Sequence, residues 1–197
     1  MHACPYPTPF DDDEWLYELK VDGYRCLADG PRLMSRNGKP YNAFPEVSAS
    51  VAKLHGDLAL DSELSVDDEH GFPRFDRLQA RARMSDPRRV RAAAEAEPAR
   101  LYVFDILAYN GRDLRGLTLL ERKRILRDVI PESDTIIFVN GIVGAGCRVF
   151  DEVERIGLEG MVAKRLESTY RKGRSRDWLK IKYAGYGRRA ALGFGRK

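Results

Sequence analysis

Glu18, Lys20 and Asp22 fall at every second position of Trp15-Leu16-Tyr17-Glu18-Leu19-Lys20-Val21-Asp22, and Arg25 follows just past Gly23. In a strand, period two puts these charged side chains on one face and Trp15, Tyr17, Leu19 and Val21 on the other. A second alternating run, Leu58 to Val66, sets Asp61 and Glu63 opposite Leu58, Leu60, Leu64 and Val66. Lys180 and Lys182 share a face with Trp178. Taken singly, each is an ordinary solvated strand residue. Taken together, lysines facing sheet-borne carboxylates suit a cleft for a phosphorylated ligand that carries a metal ion. Ammonium groups complement phosphate, and carboxylates hold a hard cation.

Other chemistries find no support. Gly38-Lys39 is followed by Pro40, so there is no Walker A loop. Gly141-x-x-Gly144-x-Gly146 departs from the dinucleotide fingerprint and reads as a flexible connector. No His-x-x-x-His, Cys-x-x-Cys or Gly-x-Ser-x-Gly pattern occurs, which argues against zinc hydrolysis and a serine nucleophile. Cys4, Cys26 and Cys147 are odd in number and scattered, as in a reducing compartment. No apolar run approaches membrane-spanning length, and the first ten residues, with three prolines, lack the apolar stretch of a signal peptide.

The 197 residues suit one domain, or one domain with a short appendage. Charge is unevenly spread. Lys164 to Lys197 carries 12 Lys/Arg against 2 acids, whereas the rest carries 22 against 28. A basic end on a mildly acidic body suits a polyanion partner, or a solvated tail.

The elements that must position these residues follow from local signals. Strands are expected over Trp15–Asp22, Tyr24–Ala28, Arg32–Arg36 (closed by the turn pair Asn37-Gly38), Leu58–Val66, Leu101–Leu107, Thr135–Val139, Gly160–Lys164 and Trp178–Lys182, the last two around a basic loop. Helices are expected from Phe44 through Leu54, over Phe75–Arg83, after Asp86-Pro87, after the Thr118/Glu121 capping box, and over Val149–Ile156 ahead of Gly157. No regular βαβ rhythm appears. The expected class is α+β with largely antiparallel sheets.

Glu18-Leu19-Lys20-Val21-Asp22-Gly23-Tyr24-Arg25 resembles the E-x-K-x-D-G-x-R signature of covalent nucleotidyltransferases. Five further segments match in order: Ser35-Arg36-Asn37-Gly38, Asp61-Ser62-Glu63, Tyr102-Val103-Phe104-Asp105, Glu159-Gly160-Met161-Val162-Ala163-Lys164 and Trp178-Leu179-Lys180-Ile181-Lys182. The set is similar to the adenylation domain of ATP-dependent DNA ligases, most like the ligase module of bacterial end-joining ligases. It implies a nucleotidyltransferase (ATP-grasp-like) fold whose nucleotide cleft lies between sheets packed with helices, over residues 1–183. Residues 184–197 would be a basic tail or the start of an OB-fold domain. Only 15 residues follow Lys182, too few for that barrel, so adenylation by this chain alone is expected to be slow and nick sealing poor. Ser62 stands where the family usually has glycine.

By this resemblance Lys20 attacks the α-phosphorus of ATP, releases pyrophosphate and carries AMP as a phosphoramidate. A lysine amine is protonated at neutral pH and cannot attack, and freeing it corresponds to roughly 4–5 kcal/mol. Burial and neighbouring cations are the levers, with Lys164, Lys180, Lys182 and Arg36 the candidates. Glu18 would oppose this, so it is assigned instead to accept from the adenine amino group, with Leu19 beside the nucleotide. Glu63 would hold the ribose hydroxyls, and Phe104 would stack on the base or serve as a core aromatic. Arg25 and Arg36 would hold ribose, phosphate or the nucleic-acid 5′-phosphate. Arg174 would contact phosphate or be an exposed member of a basic loop. Lys180 and Lys182 would neutralise the α-phosphate. Glu159, with Glu63, would place Mg²⁺ or Mn²⁺.

The implied substrates are ATP and nicked or broken duplex DNA. Implied partners are an OB-fold domain or end-joining proteins, for a monomer in the bacterial cytoplasm near the nucleoid. RNA ligase, a GTP-dependent capping-type guanylyltransferase and a non-catalytic nucleotide- or DNA-binding module remain as alternatives.

Overall fold

The structure is a computed structural model that describes residues 1–187. Two sheets face each other, in the order β1-β11-β10-β2-β9 and the order β4-β3-β5-β6-β7, with β8 added beside β6. The first sheet is built from β1 (His2–Pro5), β2 (Trp15–Leu19), β9 (Gly141–Val143), β10 (Gly160–Arg165) and β11 (Arg174–Lys182). The second contains β3 (Tyr24–Asp29), β4 (Arg32–Ser35), β5 (Leu58–Val66), β6 (Ala99–Tyr109), β7 (Arg112–Asp113) and β8 (Ile136–Phe138). Among the described residues only the β1/β11 and β6/β8 pairs are parallel. The α+β class with largely antiparallel sheets is therefore observed.

Each sheet has one face covered by helices. Tyr17, Met161, Ala163, Leu179 and Ile181 pack against α5 (Gly146–Ile156), which supplies Val149, Phe150 and Val153. On the second sheet, Leu58, Leu60, Leu64 and Val66 join the larger core with α1 (Pro45–Val51), α2 (Phe75–Ala82) and α3 (Pro87–Ala96). Met1, Leu16, Leu119 and Trp178 form a third cluster, with Phe104 and Tyr170 packed on it.

Several local expectations hold in detail. Asp86 accepts from the backbone N–H groups of Arg88 and Arg89, capping α3. Thr118 and Glu121 form the reciprocal capping box that starts α4 (Leu119–Val129). Gly157 takes the left-handed conformation that ends α5.

Others need correction. The supposed connector Gly141–Gly146 is not a linker: β9 pairs with β2 and α5 begins at Gly146. A β-carbon at Gly141 would lie 2.8 Å from the Leu16 side chain, and one at Gly146 2.4 Å from the Tyr17 ring. Glycine here permits close packing rather than freedom. Strand β11 starts at Arg174, so Arg174 belongs to a strand and not to the basic loop. Strand β1 was not foreseen. Leu19, expected on a buried apolar face, is 42% exposed, while Glu18 is 2% exposed. Helix α5 covers Tyr17 on one face but not Leu19, and the cleft encloses Glu18 on the other. The basic tail expected over 184–197 falls mostly on residues 188–197, outside the described residues.

Helix α4 docks through a face carrying charge as well as apolar groups: Leu119, Arg122, Lys123 and Leu126 are all buried. Arg122 Nε and Nη2 bond Asp105 Oδ1 and Oδ2 at 2.8 and 2.9 Å, and Nη1 bonds the Leu117 and Ser168 carbonyls. Removing one partner leaves a buried, uncompensated charge. We predict that Asp105→Ala lowers unfolding free energy by about 3–5 kcal/mol. Thr118→Ala, which loses the cap, should cost only about 1 kcal/mol. Urea denaturation of the two variants checks the order; similar losses would contradict the analysis.

Candidate active site

Register across the first sheet lines up the residues of the cleft. Lys180 pairs with Val162, which pairs with Glu18; Trp178 pairs with Lys164, which pairs with Leu16. These two rows share the face turned toward the second sheet. From that sheet Arg25 pairs with Glu63, and Phe104 projects from β6. Between them lies a cavity of about 290 Å³. Glu18, Leu19, Lys20, Arg25, Arg36, Glu63, Phe104, Lys164 and Lys180 all line it. Lys20 also lines an adjoining cavity of about 410 Å³, together with Glu159. Arg174 is not among the lining residues of either cavity; it sits exposed at the start of β11, beside His2.

Lys20 stands just past β2, where the chain crosses from one sheet to the other. Its backbone N–H donates to the Gly160 carbonyl at 2.9 Å. The crossing is tight: a β-carbon on Gly23 would come within 2.3 Å of the Leu64 carbonyl oxygen, so only glycine lets the chain pass β5 this closely. The Lys20 amine donates to Glu159 Oε2 at 2.5 Å, and Lys182 reaches Glu159 Oε1 at 2.7 Å. Glu159 is buried, Lys20 is 22% exposed and Lys182 is 56% exposed. A carboxylate therefore bridges the two lysines. Of the cations expected near Lys20, Lys182 is joined to it through this shared carboxylate.

Glu18 is held elsewhere. Its Oε1 accepts from Lys123 at 2.6 Å and its Oε2 accepts from Lys164. Lys164 is fully enclosed, its ammonium 4.4 Å from the Phe104 ring centre and 4.3 Å from that of Trp178. Burial pushes its pKa down, Glu18 pulls it back up, and the charge on Lys123 lowers it further. Lys164 thus serves Glu18 and the aromatic wall rather than Lys20.

Arg25 grips the buried Asp61 with Nε and Nη2, donates to the Met1 carbonyl at 3.0 Å, and lies 4.8 Å from the Phe104 ring centre. The Tyr170 hydroxyl donates to Asp61 at 2.6 Å. Two edges of the guanidinium are thus committed within the protein, leaving Nη1 for a ligand. Phe104 forms part of the cavity wall and packs edge-on against Trp178.

Glu63 is half-buried, and burial pushes its pKa up to about 7. Lys20 and Arg25 pull it down, while Asp61 and Glu159 add to the rise. Glu63 and Glu159 thus sense one another across the site. Among the described residues no group of three or more His, Cys, Asp or Glu could hold a metal alone. One or two carboxylates fit a hard cation that takes its remaining oxygens from phosphates and water.

Sequence reasoning did not find Lys123, the Asp61–Tyr170 contact, or His2 and Ala3 of β1 as part of the cavity wall. Lys123 had a legible signal: a charged residue at the i+4 position of the apolar stripe begun by Leu119.

Comparison with known proteins agrees with this geometry. The profile of the ATP dependent DNA ligase domain matches residues 8–182. The bifunctional non-homologous end joining protein LigD of Bacillus subtilis is 35% identical over 191 residues, covering 86% of this chain and 31% of that protein. DNA ligase C of Mycobacterium tuberculosis is 34% identical over 180 residues, covering 85% of this chain and 49% of that protein. A structure of mycobacterial DNA ligase D complexed with ATP and MES superposes with a TM-score of 0.73 at 27% identity, over 92% of this chain and 58% of that one. The chain thus spans between about a third and a half of the length of these two sequence relatives. With six motifs brought to one cleft and the family profile covering nearly the whole chain, the protein belongs to the ATP-dependent DNA ligase domain family.

Proposed function

We propose that this chain carries out the adenylation half-reaction of an ATP-dependent DNA ligase. Lys20 Nζ attacks the α-phosphorus of ATP, the bond to pyrophosphate breaks, and AMP remains on the lysine as a phosphoramidate. AMP then passes to the 5′-phosphate of nicked or broken duplex DNA. The observation that carries this reading is the placing of Lys20 at the junction of two cavities, on a buried carboxylate that it shares with Lys182.

The adenine would lie at the Glu18, Phe104 and Val139 end, and the ribose against Glu63. The α-phosphate would face Lys180, Arg36 and the free edge of Arg25. Guanidinium and ammonium groups there would offset the charge that builds on phosphorus. Glu159 Oε2 lies where the Lys20 proton must go before attack. Mg²⁺ or Mn²⁺, held through Glu159 and Glu63, would screen the phosphate charge. Arg174 and Lys182, at the two ends of β11, are assigned to phosphates outside the enclosed cavity.

Among the described residues no helix is long and apolar enough to cross a membrane, and the three cysteines are free. The proposed setting is a monomer acting on DNA in the bacterial cytoplasm. An OB-fold domain or end-joining proteins would complete DNA sealing.

Labelling with α-³²P ATP and GTP tests the reading and its rivals. ATP should label the denatured protein; stronger labelling by GTP would favour a capping-type enzyme, and none would favour a non-catalytic module. Lys20→Arg should abolish the label with little change in melting temperature, because arginine stays protonated; persistent label would refute the assignment.

Glu159→Gln should slow single-turnover adenylation by about 10²-fold or more, since Lys20 loses its acceptor. An unchanged rate at limiting Mg²⁺ would count against both roles given to Glu159.

Glu63 adds a pH signature to stability. Its folded pKa lies above the ordinary carboxylate value, so the folded state binds the extra proton between about 4.5 and about 7. That contribution is fully present below about 4.5 and is lost as pH rises through about 7. Glu63→Gln should therefore raise the melting temperature at pH 8 by about 2–4 °C and have a smaller effect at pH 5. An equal shift at both values would contradict the burial argument.

A further inference from the structure

Behind the cavity wall, against Glu18, lies a charged group that none of the matched motifs supplies. Lys123 lies on α4, one turn beyond the capped start. Its ammonium donates to Glu18 Oε1 at 2.6 Å and to the Val139 carbonyl at 2.6 Å, with the Phe104 carbonyl at 3.5 Å and the Phe138 ring centre at 4.3 Å. It thereby joins β2, β6 and the segment after β8. Glu18, Phe104 and Val139 all line the smaller cavity. Its helix neighbour Arg122 is spent on Asp105 and on backbone carbonyls.

The chemistry of Glu18 follows from these partners. Each of its oxygens accepts from an ammonium group, so the side chain is a carboxylate and offers acceptors only. Two of its lone-pair sites are used by Lys123 and Lys164, leaving acceptor capacity toward the cavity. A purine with a 6-amino group can donate there. A purine with a 6-oxo group presents a lone pair to a lone pair and is disfavoured. A protonated carboxyl would lose this distinction, because its O–H could donate to a 6-oxo group. The ion pairs that fix the direction of Glu18 therefore govern which base is accepted.

We propose that Lys123 is a positioning residue for base selection: through its ion pair with Glu18 it makes the cavity select a 6-aminopurine nucleotide over a 6-oxopurine one. This rests on reading the cavity as the nucleotide site. Lys164 alone cannot do the same work, since it reaches only Oε2 and its ammonium is also held against two aromatic rings.

Equilibrium binding to the full chain tests the proposal without requiring the covalent step. The probes are AMP, inosine 5′-monophosphate and purine riboside 5′-monophosphate, which lacks the exocyclic group. The native chain should bind AMP at least about tenfold more tightly than either analogue. Lys123→Met should reduce both ratios to within about threefold, chiefly by weakening AMP. Lys123→Gln, uncharged and still able to bond the Val139 carbonyl, is the second variant should the first not fold, and should act the same way. Equal weakening of all three nucleotides in a folded variant would assign Lys123 to structure alone and overturn the proposal. Absence of AMP preference in the native chain would also overturn it. Failure of Lys20 to take up AMP while that preference persists would sink the adenylation reading and leave base selection standing.

Discussion

A buried carboxylate shared by two lysines is the constraint on which the site depends. Glu159 is almost wholly enclosed, yet it accepts from Lys20 on one oxygen and from Lys182 on the other. Such a group is costly to bury unless it is paired. Its pairing requires β10, β11 and the crossover after β2 to meet at one point. The Lys20 backbone bond to the Gly160 carbonyl fixes the same junction from the main chain. Lys20 is thus held where the two sheets exchange the chain.

The same pattern recurs along the cleft. Glu18 is held between Lys123 and Lys164, Asp61 between Arg25 and Tyr170, and Asp105 by Arg122. Buried ion pairs add little net stability compared with apolar packing, but breaking one is expensive. A wall made of them has few alternative arrangements. That suits a site where a 1 Å error in placing phosphorus against nitrogen costs orders of magnitude in rate. The apolar cores on the outer faces of the two sheets supply the stability that this polar interior does not.

Much of this organisation is visible in the sequence. Alternation in Trp15–Asp22 and Leu58–Val66 reveals the strands, the Thr118/Glu121 pair reveals α4, and the ordered motifs bring Lys20, Glu63, Glu159 and Lys180 together. What stays hidden is hidden for physical reasons. Period two separates the faces of a strand but cannot tell solvent from a polar cleft, so Glu18 reads as solvated although it is enclosed. Gly141–Gly146 reads as a connector because glycine serves both freedom and close approach. Strand β1 escapes because it is four residues long, runs into prolines at positions 5, 7 and 9, and pairs with β11, which is distant in the chain. Lys123 is obscured because a lysine on an apolar helix stripe shows its meaning only once Glu18 is beside it.

The most direct measurement is peptide mapping of the intact chain after incubation with ATP and Mg²⁺. The account predicts one AMP adduct, on the peptide containing Lys20, and its release by pyrophosphate. AMP attached to Lys164, Lys180 or Lys182 instead, or AMP bound in the cleft with no adduct formed, would contradict it.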